Sequence, residues 1–133
     1  MMVTGRCQCG AIRYEVTGDP AYSAICHCVD CRASTGAPMV GWALFPQDKV
    51  TIDGEAVRYQ SSDNATRHFC GTCGTGLFYT NPVSFPGAID IQTATLDDPS
   101  AFPPQAQIQM ADALPWIDKA HELPAFARYP EGP

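Results

Sequence analysis

Seven cysteines in 133 residues constrain this chain more than any other feature, because they fall in three tight groups rather than scattered. The groups are Cys7-Gln8-Cys9, then Cys26-His27-Cys28-Val29-Asp30-Cys31, then Cys70-Gly71-Thr72-Cys73. An odd number cannot pair completely as disulfides, and a chain kept in a reducing compartment holds few disulfides in any case. Two outer pairs plus one inner triplet divide naturally into two metal sites.

The outer pairs suit a closed site. Structural zinc takes four ligands in a tetrahedron, with thiolate sulfurs about 2.3 Å from the metal. In Cys70-Gly71-Thr72-Cys73-Gly74 the two-residue gap lets both sulfurs face one turn, and the glycines let backbone amides approach them. In Cys7-Gln8-Cys9-Gly10, residues i and i+2 of an extended chain lie on one side. Cys7, Cys9, Cys70 and Cys73 are therefore the expected four-thiolate zinc clamp, joining the first strand to the middle of the chain.

The inner triplet supplies three ligands, Cys26, Cys28 and Cys31. Three protein ligands and an open fourth position mark catalytic rather than structural zinc. A thiol arriving there would be deprotonated at neutral pH and made nucleophilic. A fourth ligand from His27, His68, His121 or Asp30 would instead close the site and make it a second staple, leaving a zinc-stabilised binding module. Metal-free, the three thiols would form a thiol-redox module, and the cysteine count also admits an iron–sulfur cluster. His27, between two ligands in extended chain, should point away from the metal. Arg32 either offsets thiolate charge or binds a substrate carboxylate, or is merely a solvated helix residue.

Other functions find little support. Eight basic against fourteen acidic residues give a formal charge of -6, which disfavours nucleic acid and anionic lipid as partners. The opening Met-Met-Val-Thr-Gly-Arg lacks the apolar core of a signal peptide. The longest apolar run, Met39 to Phe45, is far short of the ~20 residues of a membrane span. A cytoplasmic location, with no membrane partner, is the expectation. Cys70 to Gly76 is glycine-rich but lacks the lysine of a phosphate-binding loop.

Eleven glycines and twelve prolines argue for many turns, and so for short strands over long helices. At this length roughly two-thirds of the unfolded chain's surface can be buried, enough for a core. Ile12, Tyr14 and Val16 alternate with Arg13 and Glu15, predicting a strand over Ala11 to Val16. Tyr22 to Ile25 leads as a second strand into the triplet. Val29 to Thr35 is the one helix expected in the first half, stopped by Gly36 and Pro38. Met39 to Phe45 suits a central strand covered on both faces. Val50 to Ile52 and Ala56 to Gln60, around Asp53-Gly54, have the spacing of a hairpin. Thr66 to Phe69 and Leu77 to Thr80 flank the second knuckle, and Ala88 to Thr95 is a further strand. Gln105 to Met110 is a short edge strand. Trp42, Phe45, Phe78 and Tyr79 read as core aromatics rather than a ligand stack. The tail from Leu114, with Trp116, Leu123, Phe126 and Tyr129, should pack irregularly over the domain.

These motifs together resemble those of a known family. Cys7-x-Cys9-Gly10, Cys26-His27-Cys28-x-x-Cys31-Arg32, Phe69-Cys70-Gly71-x-Cys73-Gly74-Thr75, Leu96-Asp97-Asp98-Pro99 and Leu114-Pro115-Trp116 are similar to the motifs of the glutathione-dependent formaldehyde-activating enzymes (GFA), also called centromere protein V-like. The resemblance implies a mainly β, β-tent fold of short antiparallel sheets around a four-cysteine zinc site, with one or two short helices, as a single domain over residues 1–133. It implies two zinc ions: a structural one on Cys7, Cys9, Cys70 and Cys73, and a catalytic one on Cys26, Cys28 and Cys31. The implied activity is that of a carbon–sulfur lyase joining a thiol such as glutathione to formaldehyde or another small aldehyde. The histidine often found before the Leu-Pro-Trp motif is here Gln107.

Overall fold

The structure, a computed structural model, describes residues 2–130. The described residues form ten strands, one α-helix and four short 3-10 segments, a mainly β fold. A three-stranded antiparallel sheet holds β1 (Met2–Arg6), β2 (Arg13–Thr17) and β5 (Val50–Asp53) in the order β1-β2-β5. The other seven are β3 (Tyr22–Cys26), β4 (Val40–Pro46), β6 (Val57–Gln60), β7 (Thr66–Phe69), β8 (Gly76–Thr80), β9 (Ala88–Gln92) and β10 (Ala106–Ile108). Their order in one sheet is β10-β3-β4-β9-β8-β7-β6.

Strand alternation gives the large sheet two different faces. One face sends Ala43 and Phe45 of β4, Phe78 of β8, and Ile89 and Ile91 of β9 into the main core, where they meet Ile12, Tyr14 and Val16 of the small-sheet region. Edge-to-face pairs fill it, Tyr14 on Phe78 with ring centroids 5.3 Å apart and Phe45 on Phe102 at 5.2 Å. The opposite face carries Val40 and Trp42 of β4, with Tyr79 of β8 against them, and is covered by α1 (Val29–Thr35) through Cys31. The helix ends where expected: Gly36 takes φ 68° and donates its N–H to Arg32 O, a left-handed position that glycine fills without strain.

Three expectations require correction, and one strand was not foreseen. Val50–Asp53 and Val57–Gln60 do not form a hairpin, since β5 pairs with β2 and β6 with β7. At Gly54, with φ 102°, the chain crosses between the sheets so close to the first cysteine loop that a Cβ would lie 2.5 Å from the Ala11 carbonyl oxygen. The strand not foreseen is β1: Val3 packs against the core, and Gly5 leaves room for the Tyr14 ring, which lies where a side chain would stand. The second correction is narrow: the sheets are antiparallel as expected except for one pair, β10 with β3, which is parallel with Gln107 opposite Ile25. Lastly, the tail is not packed down, as Leu123 and Phe126 remain 61% and 57% exposed. It also folds as a 3-10 segment over Ile117–Glu122.

No helix among the described residues is long and apolar enough to cross a membrane.

Candidate metal centres

Cys7 and Cys9 lie in the turn leaving β1, and Cys70 and Cys73 in the turn from β7 to β8, so this cluster joins one sheet to the other. The Sγ atoms of Cys7 and Cys9 are 3.6 Å apart and those of Cys9 and Cys70 3.7 Å, and all four sulfurs lie within 4.8 Å of one another. A tetrahedron with bonds of about 2.3 Å has edges of about 3.8 Å, so the cage fits a zinc ion. Backbone N–H groups point at the sulfurs, from Ile12 to Cys7 at 3.3 Å and from Thr72 to Cys70 at 3.4 Å. Thr75 links the two turns: its hydroxyl lies 3.2 Å from Cys73 Sγ and accepts from the Gln8 N–H at 3.1 Å. Hydrogen bonds from the Thr75 hydroxyl and N–H hold the Cys73 thiol down to about 5, which favours the ligating thiolate.

The inner cluster sits where β3 runs into α1. Cys26 is the last residue of β3, Cys28 is the helix N-cap and accepts the Cys31 N–H at 3.2 Å, and Cys31 is in the first turn. The Cys26 and Cys31 sulfurs are 3.6 Å apart, again a tetrahedral edge, and all three lie within 4.8 Å. Among the described residues no histidine or carboxylate joins that set. His27 turns away as expected, fully buried, with its Nε2–H donating to Gln107 Oε1 at 2.9 Å. Its Nδ1 is buried without a partner. His68 lies instead 3.0 Å from the Thr80 hydroxyl on β8.

Burial pushes the Cys31 thiol up to about 12 and also raises Cys26. Cys28 is lowered in spite of burial, by hydrogen bonds from the Cys31 thiol and N–H and by the nearby Arg67 charge. Without a cation these three sulfurs would favour a single thiolate, and a bound dication is what would allow three. Arg67, which the sequence motifs gave no reason to choose, takes the role considered for Arg32: its Nη2 lies 3.8 Å from Cys31 Sγ and its guanidinium 5.1 Å from the Tyr79 ring centroid. It sits 36 residues from Cys31 in sequence, and only the pairing of β7 with β8 brings it there. Arg32 is half-buried with its Nε unpartnered.

The three sulfurs open onto a cleft of ≈ 530 Å³, within the size range of small-molecule sites. Phe45 and Phe78 are in the main core as expected; Trp42 is buried in the smaller core cluster with Tyr79 packed against it, and these two also line the cleft together with Tyr22, Leu44, Phe85 and Ile108. Its charged lining is Arg67, Asp30, Asp90 and Asp112. The outer cluster borders only a shallower depression whose lining includes Arg6, Gln8, Thr75 and Asp97.

Fold and clusters together define a β protein with two cysteine centres, each able to hold a metal ion, one of them beside a cleft. More specifically, the chain belongs to the glutathione-dependent formaldehyde-activating enzyme family, whose sequence model matches residues 2–112. It is similar to an uncharacterized lyase of Schizosaccharomyces pombe, 33% identical over 79 residues that span 58% of each chain. It is also similar to a Halomonas elongata protein provisionally named a glutathione-dependent formaldehyde-activating enzyme, 28% identical over 98% of this chain and 90% of that one. Among solved structures, a Rhodobacter sphaeroides protein superposes with a TM-score of 0.60 at 27% identity, covering 71% of this chain and 88% of that one.

Proposed function

We propose that this chain is a zinc-dependent carbon–sulfur lyase that joins a small thiol, such as glutathione, to formaldehyde or another small aldehyde and runs the reverse cleavage. The observation that carries this reading is the contrast in ligand number: four sulfurs in a closed cage, three sulfurs facing a cleft. Cys7, Cys9, Cys70 and Cys73 hold a structural zinc, and Cys26, Cys28 and Cys31 hold a catalytic one. When bound, that second ion supplies a Lewis-acidic position at which a thiol gives up its proton at neutral pH. In the forward reaction the thiol sulfur forms a bond to the aldehyde carbon, the carbonyl π bond opens onto oxygen, and the proton lost from sulfur ends on that oxygen. No electrons are exchanged with a further reactant.

The chain's own residues prepare the site. Arg67 places a fixed positive charge beside Cys31 and Cys28, which offsets the charge of three thiolates and moderates their donation. The Cys31 N–H holds Cys28 in its rotamer. Trp42 and Tyr79, edge to face at 6.0 Å, form an apolar wall that limits water around the reacting atoms.

Metal analysis of the reduced protein, combined with glutathione titration followed by backbone amide shifts, tests the reading. Two zinc ions per chain are expected, with glutathione shifting the amides from Cys26 to Arg32. A zinc-loaded protein whose amides there ignore millimolar thiol would overturn it.

A further inference from the structure

Arg67 carries a mismatch that the three-cysteine cluster does not resolve. Its Nη2 lies 3.8 Å from Cys31 Sγ and its guanidinium 5.1 Å from the Tyr79 ring centroid, yet Nε and Nη1 are buried without an acceptor. A buried donor left unpaired is destabilising, and more so on a charged group. Neither contact answers this, because the sulfur takes only Nη2 and a ring face offers no acceptor in the plane of the guanidinium.

Arg67 also belongs to two cavities. One is the cleft described above, whose other charged groups are all carboxylates, Asp30, Asp90 and Asp112. The other, of ≈ 340 Å³, meets the cleft at Trp42 and Arg67, the two residues that line both. Its lining runs from Ser34, three residues after Cys31, to Gly74, the residue after Cys73, and among the described residues it holds no carboxylate. Its imidazole, His68, is held toward the neutral form by burial and by the Arg58 charge, which leaves Arg67 as the cation. Gln92 adds a side-chain amide in room that Gly76 leaves, since a Cβ on Gly76 would stand 2.6 Å from Gln92 Nε2. Trp42 and Tyr59 supply aromatic surface. Tyr59 stands opposite Arg67 on the edge strand β6 and is 61% exposed. That outer wall is held by little packing and can turn aside to admit a ligand to nitrogens that solvent does not reach.

One cation, an amide, aromatic walls and no acid suit a single negative charge on a flat apolar body. A carboxylate is the acceptor that matches a planar guanidinium, and the volume is at the small end of the range for small-molecule sites. We propose that this cavity is a second binding site, for an aromatic monocarboxylate, with the carboxylate taken by Arg67 and Gln92 and the ring against Trp42 and Tyr59. The site does not rest on the lyase reading, since its ligand needs neither thiol nor aldehyde.

Benzoate is the probe, added to the zinc-loaded protein, with benzamide as its neutral match and acetate as the carboxylate without a ring. Backbone amide shifts locate the binding and calorimetric titration measures it. Benzoate should shift the amides of Ser34, Gly74 and Gly76. Benzamide and acetate should each bind about tenfold or more weakly. Arg67→Lys, which keeps the charge but not the planar fork, should lose about tenfold in benzoate affinity, and Gln92→Leu should lose severalfold. Shifts confined to Cys26 to Arg32 would make benzoate a ligand of the metal and overturn the proposal. So would no shift at millimolar benzoate, benzamide or acetate binding as tightly as benzoate, or full affinity in both variants. Should Arg67→Lys fail to fold, the three probes on wild type and Gln92→Leu still decide.

Discussion

The two cysteine clusters set the same side chain in opposite surroundings, and the difference lies in how the sulfurs are held and what they face. The outer four come from two turns belonging to different sheets, meet at 3.6 and 3.7 Å, and are wrapped by amides and the Thr75 hydroxyl. The inner three come from a single strand-to-helix junction, so they tie together nothing that local chain does not already join. What they lack in cross-linking they gain in access, facing the cleft under Trp42 and Tyr79. A metal that joins distant segments contributes to folding, while one held by a continuous segment on an existing sheet can be spared for chemistry.

Ligand removal should split the pair most sharply. Cys70→Ser breaks the cage joining the sheets, and a structural zinc contributes on the order of 10 kcal/mol to its folded state. This variant should lose cooperative unfolding in a calorimetric scan. Cys28→Ser should unfold within about 1 kcal/mol of wild type while its metal content falls from two ions to one. Equal damage from both substitutions would mean that the inner cluster is a second staple. Chelation should follow the same division: a graded chelator series removes the three-ligand ion first, followed by metal analysis, with far-ultraviolet circular dichroism unchanged until the second leaves.

A medium-sized effect is expected at the support behind the inner cluster. Gln107 on β10 gives the buried His27 its one side-chain partner. Gln107→Leu leaves that N–H buried and unpaired, a loss of about 1–3 kcal/mol in urea denaturation. Both metal ions should remain, because His27 is aimed away from the sulfurs. Loss of the inner metal in this variant would show that β10 positions the ligands rather than only packing behind them.

Much of this division was legible in the chain itself, for physical reasons that also mark where legibility stopped. Cysteine spacing is a local property, and the pairs at i and i+2 or i and i+3 whose sulfurs meet in space could be read from it. The helix over Val29 to Thr35 was likewise written locally, in the run ending at Gly36. Arg67 and Asp90 were not legible as lining of the cleft, because they reach it only through the cross-strand register of β7, β8 and β9. The supposed hairpin at Asp53-Gly54 failed for the same reason: Gly54 does mark a turn, but whether a turn returns a strand to its neighbour or hands it to another sheet depends on the Ala11–Ile12 backbone beside it. Trp42 and Phe45 lie three residues apart in one apolar strand, and only the faces of the assembled sheet assign one to the small cluster beside the cleft and the other to the main core.

The smallest effect expected is a gain. Asp90 titrates near 6 in the folded chain against an ordinary value of 3.8, with burial as the cause. A carboxyl whose folded pKa is raised stabilises the fold fully below its unfolded value and loses that contribution as pH rises through the folded one. The carboxylate therefore weakens the fold progressively between about pH 4 and pH 6, by at most about 3 kcal/mol at neutral pH. Asp90→Asn, neutral at every pH, should be more stable than wild type at pH 7 by about 1–2 kcal/mol, and the advantage should vanish near pH 4. Thermal unfolding of both proteins across that range checks it. The other charged groups of the cleft, Arg67, Asp30 and Asp112, are common to both, so the difference curve isolates Asp90. The outer cluster offers no such gain, since every polar group around its sulfurs described above donates to them or joins their turns. A side chain whose removal stabilises the protein would mark the cleft as the region where this chain gives up stability, in contrast to the outer cage.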